Sequence, residues 1–312
     1  MNADISIIIP IYNESMTLRE LLAGLSTQTL LPREVIFVDS GSVDESIGII
    51  QEVASRDTNK FDICILVNPG GLPGGNRNRG IEKAKGEWIA FIDAGIVPEI
   101  DWLENLMTCI NSRNIKTVYG QCHFDADTAF QKAVCAISYG CGTVHPVLPA
   151  SLFHCSIFKS VGLFREDIRA AEDLLWLQCL EKNYGSRQVC IGALVHYRHF
   201  PQNFVQLVQK WWGYELSGIR SGIVSRETIW LSFIFLILFI LALTLLPLIT
   251  ISSLVLLVVA RGLISPIRRS HKWHWWGAAP AALLIAIWVC IVRDASKLLA
   301  RAYSLLRPSG ER

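Results

Sequence analysis

No Cys-x-x-Cys pair occurs among the nine cysteines, which leaves no spacing signal for a metal or redox pair. Cys64, Cys122 and Cys190 stand inside apolar, strand-like runs, so the cysteines read as buried, reduced thiols of a cytosolic compartment. Charge of one sign is also scarce. The net charge of +2 over 312 residues is too small to argue for a nucleic-acid polymer as partner. The opening Met1-Asn2-Ala3-Asp4 has no basic segment and no cleavage-site pattern, so no signal peptide is expected and the head is placed on the cytoplasmic side. The most informative absence lies at 229–260, where 32 consecutive residues carry no charge. Everything before that run reads as a soluble α/β protein. A soluble, catalytic-looking head joined to a membrane tail points to chemistry at a bilayer surface.

The head alternates strands and helices. Ser6–Pro10, Glu34–Asp39, Phe61–Val67 and Trp88–Asp93 are short apolar runs of the kind that form buried parallel strands. Leu18, Leu21, Leu22 and Leu25 recur at helical spacing after the first strand, and Ile47, Ile50 and Val53 do so within 44–54 after the second. Gly70–Gly75 reads as a loop, with a helix opening at Asn76. The βαβαβαβ order implies a Rossmann-like sheet with helices on both faces. Ligands of such sheets bind beyond the carboxyl ends of the strands. Asp39 and Asp93 both stand at such ends, so two acids converge on one crevice; a strand-terminal Asp can also simply cap the turn that follows.

Several segments carry a family resemblance. Ser6-Ile-Ile-Ile-Pro10-Ile-Tyr12-Asn13-Glu14, Val38-Asp39-Ser40-Gly41-Ser42-Val43-Asp44 and Gly71-Leu-Pro-Gly-Gly-Asn-Arg77-Asn78-Arg-Gly80 come first. Gly86-Glu87-Trp88-Ile-Ala-Phe-Ile-Asp93, Ser160-Val-Gly162-Leu-Phe164 and Glu172-Asp173 follow in order. Together, over about residues 5–215, the chain resembles the family 2 inverting glycosyltransferases of GT-A fold, a mixed α/β architecture. The resemblance implies a nucleotide-sugar donor, with Pro10, Tyr12, Glu14 and Ser42 around the base and ribose. It implies that Asp39 accepts from the uracil N3–H, as an ionised carboxylate can, and that Arg77 and Asp93 lie by the diphosphate. Glu172 and Asp173 become the catalytic pair, Asp173 acting as the base that deprotonates the acceptor hydroxyl for inverting attack at C1. The family pattern Asp-x-Asp is broken here to Asp93-Ala94-Gly95. A divalent Mg²⁺ or Mn²⁺ would then rest on Asp93, the diphosphate and His196 of Val195-His196-Tyr197; the alternative is a metal-free site. Asp125-Ala126-Asp127 follows a different strand and reads as a pair of surface loop acids. The irregular Ser138–His154 stretch is expected to serve the acceptor.

Three regions are expected: a GT-A catalytic domain at 1–202, an amphipathic interfacial helix and linker at 203–228, and a membrane region at 229–312. One helix of 32 residues would span about 48 Å, against a hydrocarbon core of about 30 Å. The run is therefore read as a hairpin broken near Pro247, about 229–246 and 248–264, followed by a third apolar segment at 276–292. Trp211, Trp212, Trp273, Trp275 and Trp276 flank these segments as interfacial aromatics do. Gln209-Lys210-Trp211-Trp212 departs from the Gln-x-x-Arg-Trp motif of processive synthases, which argues against a polymerising enzyme. The expected protein is an integral membrane glycosyltransferase with a cytoplasmic head. It moves one sugar from a nucleotide sugar, a UDP-sugar, to a lipid-linked or surface-polysaccharide acceptor. A polyprenyl-phosphate glycosyltransferase and a catalytically inactive GT-A membrane scaffold are the alternatives.

Overall fold

The computed structural model describes residues 3–56, 60–220, 226–243, 247–270 and 280–306. They form two compact units, Met1–His123 with Val144–Arg198, and Phe124–Thr143 with His199–Arg312.

In the first unit β1 (Ala3–Ile11), β2 (Pro32–Asp39), β3 (Asp62–Val67) and β4 (Trp88–Phe91) run parallel in the order β3-β2-β1-β4. Ile7 to Ile9 and Val35 to Val38 are wholly buried, as unbroken apolar strands require. The crossovers are α1 (Leu18–Ser26), α2 (Ser46–Ala54) and α3 (Pro73–Lys83). α1 buries Leu18, Leu21, Leu22 and Leu25, the stripe its spacing announces. α2 starts later than expected because Asp44 accepts from the Ser46 N–H at 3.0 Å and from its hydroxyl, holding 44–45 in a turn. The helix then buries Ser46, Ile49 and Ile50, and leaves Ile47 and Val53 only half-buried. α3 begins at Pro73, not Asn76: proline is preorganised for a first helical turn, so Gly74 and Gly75 belong to the helix.

Beyond β4 the sheet becomes mixed. β5 (Ile96–Pro98), β6 (Thr117–Phe124), β7 (Val144–Pro146), β8 (Leu152–His154) and β9 (Val189–Tyr197) complete the order β3-β2-β1-β4-β8-β6-β9-β5, with β7 on β6. The β4–β8, β8–β6 and β9–β5 pairs are antiparallel. α4 (Trp102–Arg113), α6 (Ser156–Val161) and α7 (Glu172–Tyr184) pack in the same unit. An aromatic cluster joins sheet and helices: Trp176 of α7 stacks on Phe164 at 4.8 Å and on Phe158 at 5.3 Å, and Phe91 meets Phe164 edge-on at 5.5 Å. One cysteine reading is corrected. Cys190 is disulfide-bonded to Cys109, because α4 lies along β9 and brings the two Cα atoms to 6.2 Å. Cys64 and Cys122 remain thiols.

The second unit contains α5 (Ala129–Ser138), α8 (Phe204–Arg220), α9 (Arg226–Leu243), α10 (Pro247–Val259), α11 (Ser265–Arg269) and α12 (Pro280–Leu306). A π turn, Ala260–Ile264, joins α10 to α11 without interruption. Gly262 lies there so close to α12 that a Cβ would stand 3.0 Å from the Ile287 Cα. α8 packs on α12, with Trp211 facing the Arg293 guanidinium at 5.9 Å and the Lys297 ammonium at 5.2 Å. Its Phe204, Val205 and Tyr214 are exposed. Among the described residues one helix, Leu248–Arg269, is long and apolar enough to cross a membrane, with a mean hydropathy of 2.2. The Thr228–Ala242 helix is apolar but shorter. Residues 280–292 of the third expected segment form the first half of α12, whose second half buries Arg293, Asp294 and Lys297. Residues 221–223, 244–246 and 276–279, with Trp273, Trp275 and Trp276, lie outside the described residues.

Candidate active site

The carboxyl ends of β1 and β2 open into two loops that are laced together by short polar side chains. The Asn13 N–H donates to Ser42 Oγ at 2.9 Å, and the Val43 N–H donates to Asn13 Oδ1 at 2.9 Å. The Glu14 N–H donates to Ser46 Oγ at 2.8 Å, and the Ser15 N–H to Asp44 Oδ2 at 3.0 Å. Asn13 adopts a left-handed φ of 55°, a region where Asn is enriched. Burial would raise Asp44, but hydrogen bonds from Ser46 and Ser15 outweigh it and hold this carboxylate at about 2. Above the laced floor Tyr12 is 50% exposed, a ring free to stack.

Asp39 behaves differently from its expected neighbours. It is buried, and its carboxylate accepts from the Gly41 N–H at 3.0 Å, the Ser42 N–H at 3.0 Å and the Ser42 hydroxyl at 2.6 Å. In this structure it caps its own turn, one of the two roles its position allowed, and Ser42 is the residue it fixes. Pro10 and Glu14 are partly buried beside Tyr12 in the sequence. Burial pushes the Glu14 carboxyl above its ordinary value, the Thr17 hydroxyl opposes this, and the charges of Asp93 and Asp44 add to it.

Arg77 is the hub. It is buried in α3, donating from Nη2 to Asp93 Oδ1 at 3.0 Å and from Nη1 to Glu172 Oε1 at 2.5 Å. The guanidinium also faces the Phe164 ring at 5.8 Å. Burial alone would lower the Arg77 pKa, but Asp93, Glu172 and Asp173 raise it, so this cation stays charged. Burial raises the Glu172 carboxyl and Arg77 partly restores it. Asp173 is close enough for its charge to act on Asp93, Glu172 and Arg77, and its Oδ1 accepts the Leu174 N–H at 2.8 Å. Asp93 just after β4, Glu172 and Asp173 of α7 and Arg77 of α3 thus gather at one end of the sheet. Asp93 and Glu172 are 79 positions apart in the chain, and it is α3 that brings them together.

Asp93 and His196 are the two side chains expected to hold a metal. The Asp93 side chain is 45% exposed and gives Arg77 one oxygen, so its other oxygen fits a cation. His196 stands on β9, where its Nε2 is 3.0 Å from Glu99 Oε1 and its ring is 5.6 Å from that of His123 on β6. β9 pairs His196 with Val97 of β5. Asp127 belongs to the turn before α5: its N–H and that of Thr128 donate to Gln131 Oε1, both at 3.2 Å, in a capping box. Of the stretch expected to meet the acceptor, Gly140 and Cys141 seat against the end of α11, where the Cys141 N–H donates to Ser270 Oγ at 3.0 Å. Sequence reasoning missed Asn76 and Asn78, two buried amides flanking Arg77. The signal available was an alternation of polar residues in a segment whose helix needed a buried face.

The chain is similar to known glycosyltransferases. Residues 6–136 match the family described as Glycosyl transferase family 2, a stretch that holds Asp39, Arg77 and Asp93 and ends before Glu172. The chain is 33% identical over 189 residues to a poly(ribitol-phosphate) beta-glucosyltransferase of Bacillus spizizenii, covering 54% of this chain and 28% of that protein. It is 26% identical over 246 residues to an uncharacterized glycosyltransferase of Rickettsia typhi, covering 72% of each. The chain therefore spans under a third of the length of the first relative. The S. aureus TarS 1–349 structure in complex with UDP-GlcNAc shares the fold, with a TM-score of 0.50 at 18% identity over 68% of this chain and 66% of that one. The chain carries a glycosyltransferase domain.

Proposed function

We propose that the protein is an inverting glycosyltransferase that moves one sugar from a UDP-sugar to a lipid-linked or surface-polysaccharide precursor at the cytoplasmic face of a membrane. The observation that carries this reading is the Arg77 hub, which gathers Asp93, Glu172 and Asp173 beyond the strand ends, beside the Tyr12 and Ser42 loops. In this reading Tyr12 stacks on the base, while Asp39 shapes the turn and takes the uracil N3–H when the turn adjusts to the ligand. The UDP-GlcNAc complex of the TarS neighbour supports a uridine nucleotide donor. The poly(ribitol-phosphate) relative supports a surface-polymer acceptor.

Asp173 is the base. It stands at the start of α7, next to a Glu172 whose charge is held by Arg77, and takes the proton of the acceptor hydroxyl. A bound divalent cation would neutralise the departing diphosphate, with Asp93 as its protein ligand. Membrane attachment is supported by the Leu248–Arg269 helix and by the exposed apolar residues of α9 and α10.

The test uses the full chain in detergent micelles with UDP-glucose and UDP-GlcNAc, a membrane-lipid extract as acceptor, and sugar analysis of the product. Turnover is expected with one donor, and Asp173→Asn should lower it by about 10²–10⁴-fold while leaving UDP affinity in place. Transfer by Asp173→Asn at the wild-type rate would remove the base assignment. A lipid product bearing a single sugar phosphate would favour the polyprenyl-phosphate activity instead.

A further inference from the structure

We propose that the start of α3, Pro73 to Asn78, is a clamp for the loop that carries the base, and that Asn78 is a positioning residue for Asp173. The inference rests on the assignment of Asp173 made above. Its evidence is a set of contacts that nucleotide binding does not require. The buried Asn78 amide pairs with the backbone of Phe164 at two points: Nδ2 donates to the Phe164 carbonyl at 2.9 Å, and Oδ1 accepts the Phe164 N–H at 2.9 Å. Nδ2 also donates to Glu166 Oε1 at 2.7 Å. The residue before it, Arg77, holds Glu172. Two consecutive residues of one helix thus grip both ends of the segment 164–172, and Asp173 is the next residue.

Between these grips most side chains face solvent. Arg165, Glu166, Asp167 and Arg169 are exposed, and Ile168 is the buried side chain among them. At its end Ala171 has a left-handed φ of 66°, which a residue with a Cβ adopts only where the surroundings impose it. The paired glycines of Pro73-Gly74-Gly75-Asn76 gain a purpose here. A Cβ on Gly74 would collide with the Arg165 carbonyl oxygen, and one on Gly75 would touch Glu166 Cβ at 3.6 Å. The glycines let the loop lie directly on the first turn of α3. On the same turn Asn76 Nδ2 donates to Ser40 Oγ at 2.7 Å, beside the Asp39 turn. One helix therefore touches both the donor-side turn and the base-side loop. An unclamped loop would leave Asp173 chemically intact but displaced, and misplacement of a reacting group by about 1 Å can cost 10²-fold in rate.

The test compares wild type, Asn78→Ala, Gly74→Ala, Asp173→Asn and the Asn78→Ala/Asp173→Asn double variant of the full chain in detergent. UDP affinity is measured by calorimetry, kcat and KM by UDP release from whichever of UDP-glucose and UDP-GlcNAc turns over, and amide hydrogen exchange across 164–173. Asn78→Ala and Gly74→Ala should each lower kcat by about 10-fold or more, with UDP affinity within about 2-fold of wild type. Exchange at the Phe164 amide should accelerate while β1 to β4 stay protected. The double variant should be no slower than Asp173→Asn alone, because an absent base cannot be misplaced. Alanine favours a helix over glycine, so a loss in Gly74→Ala reads as displacement of the loop rather than failure of α3. If Asn78→Ala does not fold, the exposed Glu166→Ala should show a smaller change of the same kind. Unchanged kcat in these variants, unchanged exchange at Phe164, or UDP affinity that falls as far as kcat would each overturn the clamp. Normal transfer by Asp173→Asn would instead remove the base assignment, and the Phe164 exchange would still decide the clamp.

Discussion

In the α/β unit a buried arginine and a buried glutamate share their network with Asp93, which is 45% exposed. In the helical unit Asp294 lies buried between two arginines, accepting from Arg261 Nε at 2.7 Å and Nη2 at 3.0 Å and from Arg293 Nε at 3.0 Å and Nη2 at 2.9 Å. The two networks have similar parts and different ends. The first runs outward to a carboxylate that water or a ligand can reach. The second runs inward along α12 and joins the π turn to that helix, where Arg293 Nη1 also reaches the Ile137 carbonyl of α5 at 3.3 Å. A buried charge costs several kcal/mol to desolvate, so each is kept only where its partners are complete. The comparison teaches that burial alone does not mark a site. What marks it is a buried network that stops at an accessible, chemically competent group.

The sharpest break of this contrast is at Arg77. Arg77→Leu strands Glu172 as an unpaired buried carboxylate, and removing one partner of such a pair costs about 3–5 kcal/mol. Glu172 is already raised by burial, and without Arg77 it rises further. The native state then holds its proton over a wider range than the unfolded chain does, so the variant loses stability as pH rises through that range and regains it as pH falls. Chemical denaturation at pH 5 and pH 7.5 should show the larger deficit at pH 7.5, and Arg77→Leu/Glu172→Leu should recover much of it. A deficit that ignores pH would mean the loss is one of packing against Phe164.

The matching change in the helical unit is Asp294→Asn. It keeps the shape and removes the charge between the arginines, at about 1.5–3 kcal/mol for lost charge-assisted hydrogen bonds. The melting temperature of the detergent-solubilised protein should fall while UDP affinity is unchanged. A fall in UDP affinity would show that this network is not confined to packing, and the contrast drawn above would fail. An effect of similar size, on binding rather than on stability, is expected at Asp39. Asp39→Ala frees the Gly41 and Ser42 N–H groups and loosens the turn, so UDP binding should weaken by about 1.5–3 kcal/mol. Unchanged affinity by calorimetry would reduce Asp39 to a turn cap with no part in the donor pocket.

These contrasts also divide what could be read from the residues. The parallel strands follow from unbroken apolar runs, and the leucine stripe of α1 follows from a period of 3.6. The role of Arg77 was less accessible, because its partner Glu172 is 95 positions away and no local pattern records that contact. Asn78 and Phe164 are separated by 86 positions, and Cys109 and Cys190 by 81, for the same reason. The apolar residues 280–292 were legible as apolar but not as half of a 27-residue helix, because the charged residues that follow are satisfied by neighbouring helices rather than by solvent. His196 lies within the last strand, and its partner depends on the register of β9 against β5.

The smallest expected effect separates the site's electrostatics from its hydrogen bonds. Glu14 lies near two other acids, Asp44 and Asp93, and its carboxyl is raised above the ordinary 4.5 by burial first and by their charges after that, with only the Thr17 hydroxyl opposing. Between 4.5 and its folded value the native protein holds a proton that the unfolded chain has released. The Glu14 contribution to stability therefore falls as pH rises through this window and is constant above it. Glu14→Gln removes the titration and keeps most of the shape. Its stability relative to wild type should climb as pH rises from below 4.5 and then level off at neutral pH. Denaturant midpoints collected from pH 4 to pH 8 without nucleotide would show this. A relative stability that drops with rising pH would mean that Glu14 gains a cation when ionised, and the cluster at the strand ends would then be less acidic than its residues indicate.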